Sequence, residues 1–195
     1  GQISAKELQD KGVLSQCHVN VCQLIDTVAH RDYQSELKYL TTDTKRLEYV
    51  GKLLNTVKDS GNTLILVDRI SAGEALAELI PGSVFVKGDV KLKDRKEAYD
   101  EINEGTNHVV IATYGVAAVG INIPRIFNLV LIEPGKSFVR VIQSIGRGVR
   151  KAKDKDFVQI WDVTSRCKFS KRHLTERKKY YKDAQYPFTI DKVKY

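Results

Sequence analysis

Five short apolar runs, Thr63-Leu64-Ile65-Leu66-Val67, Ser83-Val84-Phe85-Val86, Val109-Val110-Ile111-Ala112, Leu129-Val130-Leu131-Ile132 and Phe157-Val158-Gln159-Ile160-Trp161, constrain this chain more than any other feature. A strand with one face in water alternates apolar and polar residues, whereas an apolar run without alternation is buried on both faces. Helical spacing fills the intervals. Leu47, Val50, Leu54 and Val57 mark a helix starting near Asp43, and Ala72, Ala75, Leu76, Leu79 and Ile80 mark another that Pro81-Gly82 ends. Leu92, Tyr99 and Ile102 define a helix ending at Gly105, and Phe138, Ile142, Ile145 and Val149 form one further stripe. Ser71 to Glu74 has capping-box spacing, which places a helix start at Ser71. Strands alternating with helices through short connections predict an α/β fold, a parallel sheet with helices on both faces. Such sheets bind ligands beyond the carboxyl ends of their strands, so the loops after Val67, Val86, Ala112, Ile132 and Trp161 are the expected site. Residues 1–41 read as a lead-in segment, 42–163 as the α/β domain, and 164–195 as a basic helical tail.

Charge divides unevenly along the chain. The whole carries a net +8, but residues 1–135 sum to −3 and residues 136–195 to +11. The basicity belongs to the last third and suggests a polyanion partner there. Tail residues Lys171, Arg172, Arg177, Lys178 and Lys179 interleave with Tyr180, Tyr181 and Tyr186, which suits either stacking on the bases of a nucleic acid or a helix packing its tyrosines on the sheet. Three cysteines without paired spacing fit a reduced, cytoplasmic setting and no metal centre. The apolar runs are too short to span a membrane, so no membrane partner is expected. The chain begins at Gly1 and holds no Met, as expected of a piece of something longer.

A complete nucleotide site is not expected. Glu133-Pro134-Gly135-Lys136-Ser137 follows a strand and opens a helix, but the first glycine of a phosphate loop would fall at Val130, inside that strand. Asp100-Glu101 lies within a helix and is poorly placed for Mg²⁺. No Gly-x-Gly-x-x-Gly follows a strand, which argues against a dinucleotide enzyme. Gln143-Ser144-Ile145-Gly146-Arg147-Gly148-Val149-Arg150 is more informative. At ~100° per residue, Gln143, Arg147 and Arg150 project together from the side opposite the apolar stripe. Two glycines inside that helix cost about 1 kcal/mol each relative to alanine, a penalty with little purpose on a passive surface. The arrangement suits either a solvated basic face or, in the sharper reading, two arginines aimed at a phosphate held by something else.

Gln143-x-x-Gly146-Arg147-x-x-Arg150 resembles motif VI of superfamily 2 helicases. Ala112-Thr113-Tyr114-Gly115-Val116-Ala117-Ala118-Val119-Gly120-Ile121-Asn122-Ile123-Pro124 resembles motif V, and Leu64 to Arg69 resembles motif IV. Lys87-Gly88, followed by Arg95, is similar to the segment between them. The resemblance implies a second RecA-like motor domain, whose ATP, with Mg²⁺, sits in a cleft against a first such domain carrying the phosphate loop. Arg147 and Arg150 are then arginine fingers, Gln143 orients the γ-phosphate or water, and Gly120 and Asn122 approach the nucleotide. Many relatives carry Asp where Asn122 stands. Thr113, Arg69, Lys87 and Gly88 are implied contacts to a nucleic-acid backbone. The implied partner is DNA, branched or single-stranded, or an RNA–DNA hybrid, and the isolated domain is expected to be inactive. The rival reading is a nucleic-acid-binding module with the same fold and no motor partner.

Overall fold

A computed structural model describes residues 16–88, 107–119, 126–136, 138–149 and 157–195, with only the helical backbone over 146–149. The elements in chain order are β1 (Cys17–Leu24), α1 (Tyr33–Thr42), α2 (Thr44–Val57), β2 (Thr63–Val67), α3 (Ile70–Leu79), β3 (Val84–Val86) and β4 (Val109–Thr113). They continue with α4 (Tyr114–Ala118), β5 (Asn128–Ile132), α5 (Phe138–Val149), β6 (Val158–Ser165), α6 (Lys168–Asp183) and β7 (Phe188–Val193). The strands form one seven-stranded sheet in the order β3-β4-β2-β5-β6-β1-β7, and every neighbouring pair is parallel. This is the α/β, RecA-like architecture that the apolar runs and the family resemblance anticipate.

Alternate residues of each strand feed two cores, as a period of two requires. Leu64, Leu66, Leu129 and Leu131 face Val116 of α4, Ile142 of α5 and Leu174 and Tyr181 of α6. Ile65, Val67, Val130 and Ile132 face Leu47, Val50 and Leu54 of α2 and Leu76 of α3. Burial on both faces removes the need for alternation, which is why these strands are continuous apolar runs.

Three sequence expectations change, and one open alternative is decided. The lead-in segment contains β1, a strand between β6 and β7, with Val19 opposite both Ile160 and Phe188. Its polar residues hid it, and they are satisfied by its neighbours: Asn20 donates to Gln159 Oε1 at 2.8 Å and to the Ile160 carbonyl at 3.2 Å. Phe157 is exposed outside β6, which instead runs on to Ser165 because its far end is buried beside β1. The helix α3 begins at Ile70, with Arg69 at the N-cap and no side-chain cap, so Ser71 lies inside it. Packing of Ala72 and Leu76 on the sheet sets this start, where the capping-box spacing placed it later. In the tail, Tyr181 and Tyr186 are buried in the core and unavailable to stack on bases. The helix expected to end at Gly105, with Arg95 and Asp100-Glu101, lies outside the described residues.

Charged side chains are buried at the carboxyl ends of the central strands. Asp43 ends α1 and caps α2, accepting from the Arg46 amide at 3.0 Å, so Arg46 sits in the first turn, pointing inward. Its guanidinium donates to Asp26, at 3.1 Å, to Glu133, at 2.8 Å, and to the carbonyls of Leu40 and Thr164. Burial opposes the Arg46 charge, but the Glu133 and Asp26 carboxylates more than offset it and raise its pKa. Glu133 also accepts from Ser170 and Thr164, and Asp26 from Ser165 and Tyr195. On α6, Arg177 grips Asp162 through two bonds of 2.8 and 2.9 Å and donates to the Pro134 carbonyl. The Glu36 carboxylate of α1 accepts the Phe169 and Ser170 amides, supplying the cap that Cys167 does not.

Replacing Arg46 with Leu removes the only described cation paired to Asp26 and Glu133 and leaves two carboxylates buried. Stranding buried charges of this kind costs about 3–5 kcal/mol. Urea unfolding at neutral pH is expected to show that loss for Arg46→Leu and almost none for Lys179→Ala, whose pair with Glu176 is solvent-exposed.

Candidate functional site

The site lies where the loop-forming ends of β2, β3 and β4 come together. Val86 and Leu66 both pair with Ala112, and Val67 pairs with Thr113, so Lys87, Thr113 and Arg69 leave three adjacent strands at nearly one level. Adjacent strands are about 4.8 Å apart, giving a short row of polar groups along the sheet edge. Thr113 caps α4, its Oγ1 accepting from the Val116 amide at 3.3 Å. That use of the oxygen leaves the hydroxyl proton to donate outward. The Arg69 Nε donates to Asp68 at 3.1 Å, yet the side chain is 30% exposed. Lys87 pairs with Glu74 at 2.8 Å and lies over the Phe85 ring. Gly88 is exposed, and a Cβ there would meet only Val116, at 3.9 Å. The structure thus brings Thr113, Arg69, Lys87 and Gly88 together.

The second group of expected residues follows β5 and rides on α5. Phe138, Val141, Ile142 and Ile145 are buried, and Gln143 is half-buried on the opposite side. Arg147 stands one helical turn beyond Gln143 on the α5 backbone, and its side chain lies outside the described residues, as do Arg150, Gly120 and Asn122. The strand before α5 holds no phosphate loop. Val130 is buried in mid-strand, Glu133 turns the chain with a φ of 45°, and the Pro134 carbonyl is taken by Arg177. A Cβ on Gly135 would stand 3.2 Å from Tyr33 Oη, so the glycine serves a close approach of α1. Among the described residues, no group of three His, Cys, Asp or Glu side chains is placed to hold a metal ion. Among them, too, no helix is long and apolar enough to cross a membrane.

A cavity of about 480 Å³ opens beside this row, lined by Tyr33, Asp68, Tyr114, Glu133, Gly135, Lys136 and His173. His173 meets Tyr33 edge-on at 4.7 Å. Burial lowers its pKa below the ordinary 6.5, and the nearby Arg177 and Lys136 charges lower it further, against a smaller opposing pull from Glu36. The buried ion pairs behind the cavity were missed in the sequence. Their signal was a basic residue at a core position: Arg46 precedes Leu47 and stands four before Val50, and Arg177 is three after Leu174 and four before Tyr181.

The helicase conserved C-terminal domain family matches residues 45–152, and the chain belongs to that family. Its RecA-like sheet and ordered motifs place it among the C-terminal domains of superfamily 2 helicases. The chain is similar to the ATP-dependent DNA helicase uvsW of Enterobacteria phage T4, with 24% identity over 189 residues, covering 91% of this chain and 38% of that protein. It is 30% identical over 136 residues to a putative helicase of a Sulfolobus islandicus filamentous virus, covering 60% of this chain and 24% of that protein. The chain therefore spans well under half the length of either relative. Among solved structures, T4 UvsW matches with a TM-score of 0.78 at 22% identity, over 91% of this chain and 42% of that one. The DEAD-box protein SrmB of E. coli matches with a TM-score of 0.62 at 19% identity, over 91% of this chain and 92% of that one.

The depressed His173 pKa gives a pH dependence with a definite sign. As pH falls below about 6.5 the unfolded chain takes up the proton first, so stability present above that pH is lost toward the lower folded pKa. Lowering the pH from about 7 to about 5 is expected to reduce the urea midpoint less steeply in His173→Phe than in the native chain.

Proposed function

We propose that this chain is the second motor domain of an ATP-dependent DNA helicase or translocase that remodels branched or recombination DNA. Residues 42–163 carry the motor motifs, 1–41 precede them, and 164–195 follow as the basic extension. The observation that carries the reading is α5 itself. Its apolar stripe is clamped to the sheet while Gln143 and the Arg147 position lie on the other side, four residues apart. Such a helix suits a site completed from outside, by a first RecA-like domain that holds ATP and Mg²⁺ on its own phosphate loop. ATP supplies the phosphoryl group whose transfer to water drives the cycle. Arg147 and Arg150 bind the γ-phosphate and neutralise charge developing on it, and Gln143 orients the attacking water. Gly120 and Asn122, which follow α4 in the chain, approach the nucleotide. Preorganised charges of this kind act most strongly once closure of the two domains excludes water.

At the strand ends, Thr113, Arg69, Lys87 and Gly88 contact phosphates of one strand. Backbone contacts carry little sequence information, so binding is sequence-independent and salt-sensitive. The tail adds a second, mainly basic surface, a groove lined by Lys171 and Lys178 of α6 and by Lys192 and Asp191 of β7. The relationship to a phage DNA helicase supports DNA as the substrate and the host-cell cytoplasm as the place of action.

In the two-domain protein, Arg147→Ala and Arg150→Ala are each expected to lower ATP turnover about 1,000-fold or more, with DNA affinity little changed. This chain alone is expected to hydrolyse no ATP, with or without DNA. Steady-state phosphate release checks both, and turnover that survives both substitutions overturns the finger assignment. For the tail, replacing Lys171, Lys178 and Lys192 with Ala is expected to flatten the dependence of DNA affinity on salt. The slope of log K against log salt should fall by about 0.9 for each DNA phosphate that is no longer neutralised, read by fluorescence anisotropy.

A further inference from the structure

We propose that the cavity between the ends of β2, β4 and β5 and the first turns of α6 is a pocket for one unstacked nucleobase of the bound strand. The inference rests on the reading of Thr113 and Arg69 as phosphate contacts, and it follows from where they stand. Asp68 and Tyr114, which line the cavity, are the immediate chain neighbours of Arg69 and Thr113. A strand whose phosphates lie on that pair has its bases beside the opening.

Size and lining suit a base better than a phosphate. The cavity holds about 480 Å³, within the roughly 300–1,000 Å³ of small-molecule sites. Its aromatic walls are Tyr33, half-buried and edge-on to His173, and Tyr114, whose hydroxyl is spent on the Ile132 carbonyl. Two of its residues, Asp68 and Glu133, are carboxylates, which repel a phosphate pushed inside. The Glu133 oxygens are occupied by Arg46, Thr164 and Ser170. Asp68 differs. One oxygen accepts from Arg69, while the other is shut away from water and accepts no hydrogen bond from the described residues. A buried acceptor left unsatisfied is costly, and a turn of the Asp68 carboxyl offers it to a donor entering the cavity. The exocyclic amine of cytosine or adenine is such a donor, whereas thymine presents a carbonyl at the equivalent place. Burial keeps His173 in its neutral form near pH 7, so its ring serves as an uncharged wall. Lys136, exposed at the rim, is placed for the phosphate of the inserted nucleotide.

The occupant therefore stacks on one ring of the Tyr33–His173 pair, with the other ring bounding it, and donates to Asp68, with a preference for bases that carry an amino group. Single bases stacked on aromatic side chains contribute roughly five-fold or more to affinity. The test measures binding of this full chain at fixed salt to three single strands of equal length: oligodeoxycytidine, oligodeoxythymidine and an abasic sugar-phosphate strand. Oligodeoxycytidine is expected to bind at least about five-fold tighter than the abasic strand, with thymidine between them. Tyr33→Ala and His173→Ala should each shrink the cytidine advantage to less than about two-fold, while Lys87→Ala weakens all three strands alike. Asp68→Asn should erase the difference between cytidine and thymidine, because an amide both donates and accepts. Equal binding of all three strands to the native chain overturns the pocket and leaves the backbone reading standing. A base preference untouched by both ring substitutions also overturns it, since the bases would then be read elsewhere. Failure of every strand to bind overturns the backbone reading and the pocket with it.

Discussion

The Arg46 guanidinium joins parts of this molecule that would otherwise have little reason to hold one geometry. It ties α2 to the loop after β1 through Asp26, to the end of β5 through Glu133, and to β6 through the Thr164 carbonyl. Glu133 passes the constraint on to Ser170, and Glu36 closes the circuit by capping α6. Burying this much charge brings no large net stabilisation by itself, since desolvation consumes most of the Coulombic gain. What it enforces is registry, because any shift that breaks one bond strands a charge away from water.

That registry matters because of where it falls. Glu133 is the last turn of chain before Pro134, Gly135 and α5, and Arg177 holds the Pro134 carbonyl from the other side. The start of α5 is therefore pinned by α2 and α6, and the position of Gln143 and Arg147 follows from it. The row formed by Lys87, Thr113 and Arg69 depends instead on β-ladder register, which sets three strand ends level. The two sets of groups are thus fixed by two independent devices.

Much of this was legible in the sequence because apolar runs and helical stripes report burial directly. The strands β2, β4 and β5 and the helices α2 and α5 fall within a residue or two of where those patterns put them. The polar elements were not legible. His18 and Asn20 made β1 look like a connection, since nothing local shows that Gln159 and Thr189 wait on neighbouring strands. The tail allowed two fates for its tyrosines, and only packing against Phe138 chose the core for Tyr181.

The sequence alone therefore determined the class of fold, the order of the motifs and the family to which the chain belongs. Continuous apolar runs have one economical burial, and motif spacing is a property of the chain itself. The tertiary structure decided which charges are enclosed and which reach solvent. Arg46, Arg177 and Glu133 read on paper like the other charged residues, but they are enclosed and fully engaged. Lys136 and Arg69 remain at the surface beside a cavity that no local pattern announces. The physical reason is that the role of a charge depends on its solvation and its partners, and both are set by residues distant in the chain.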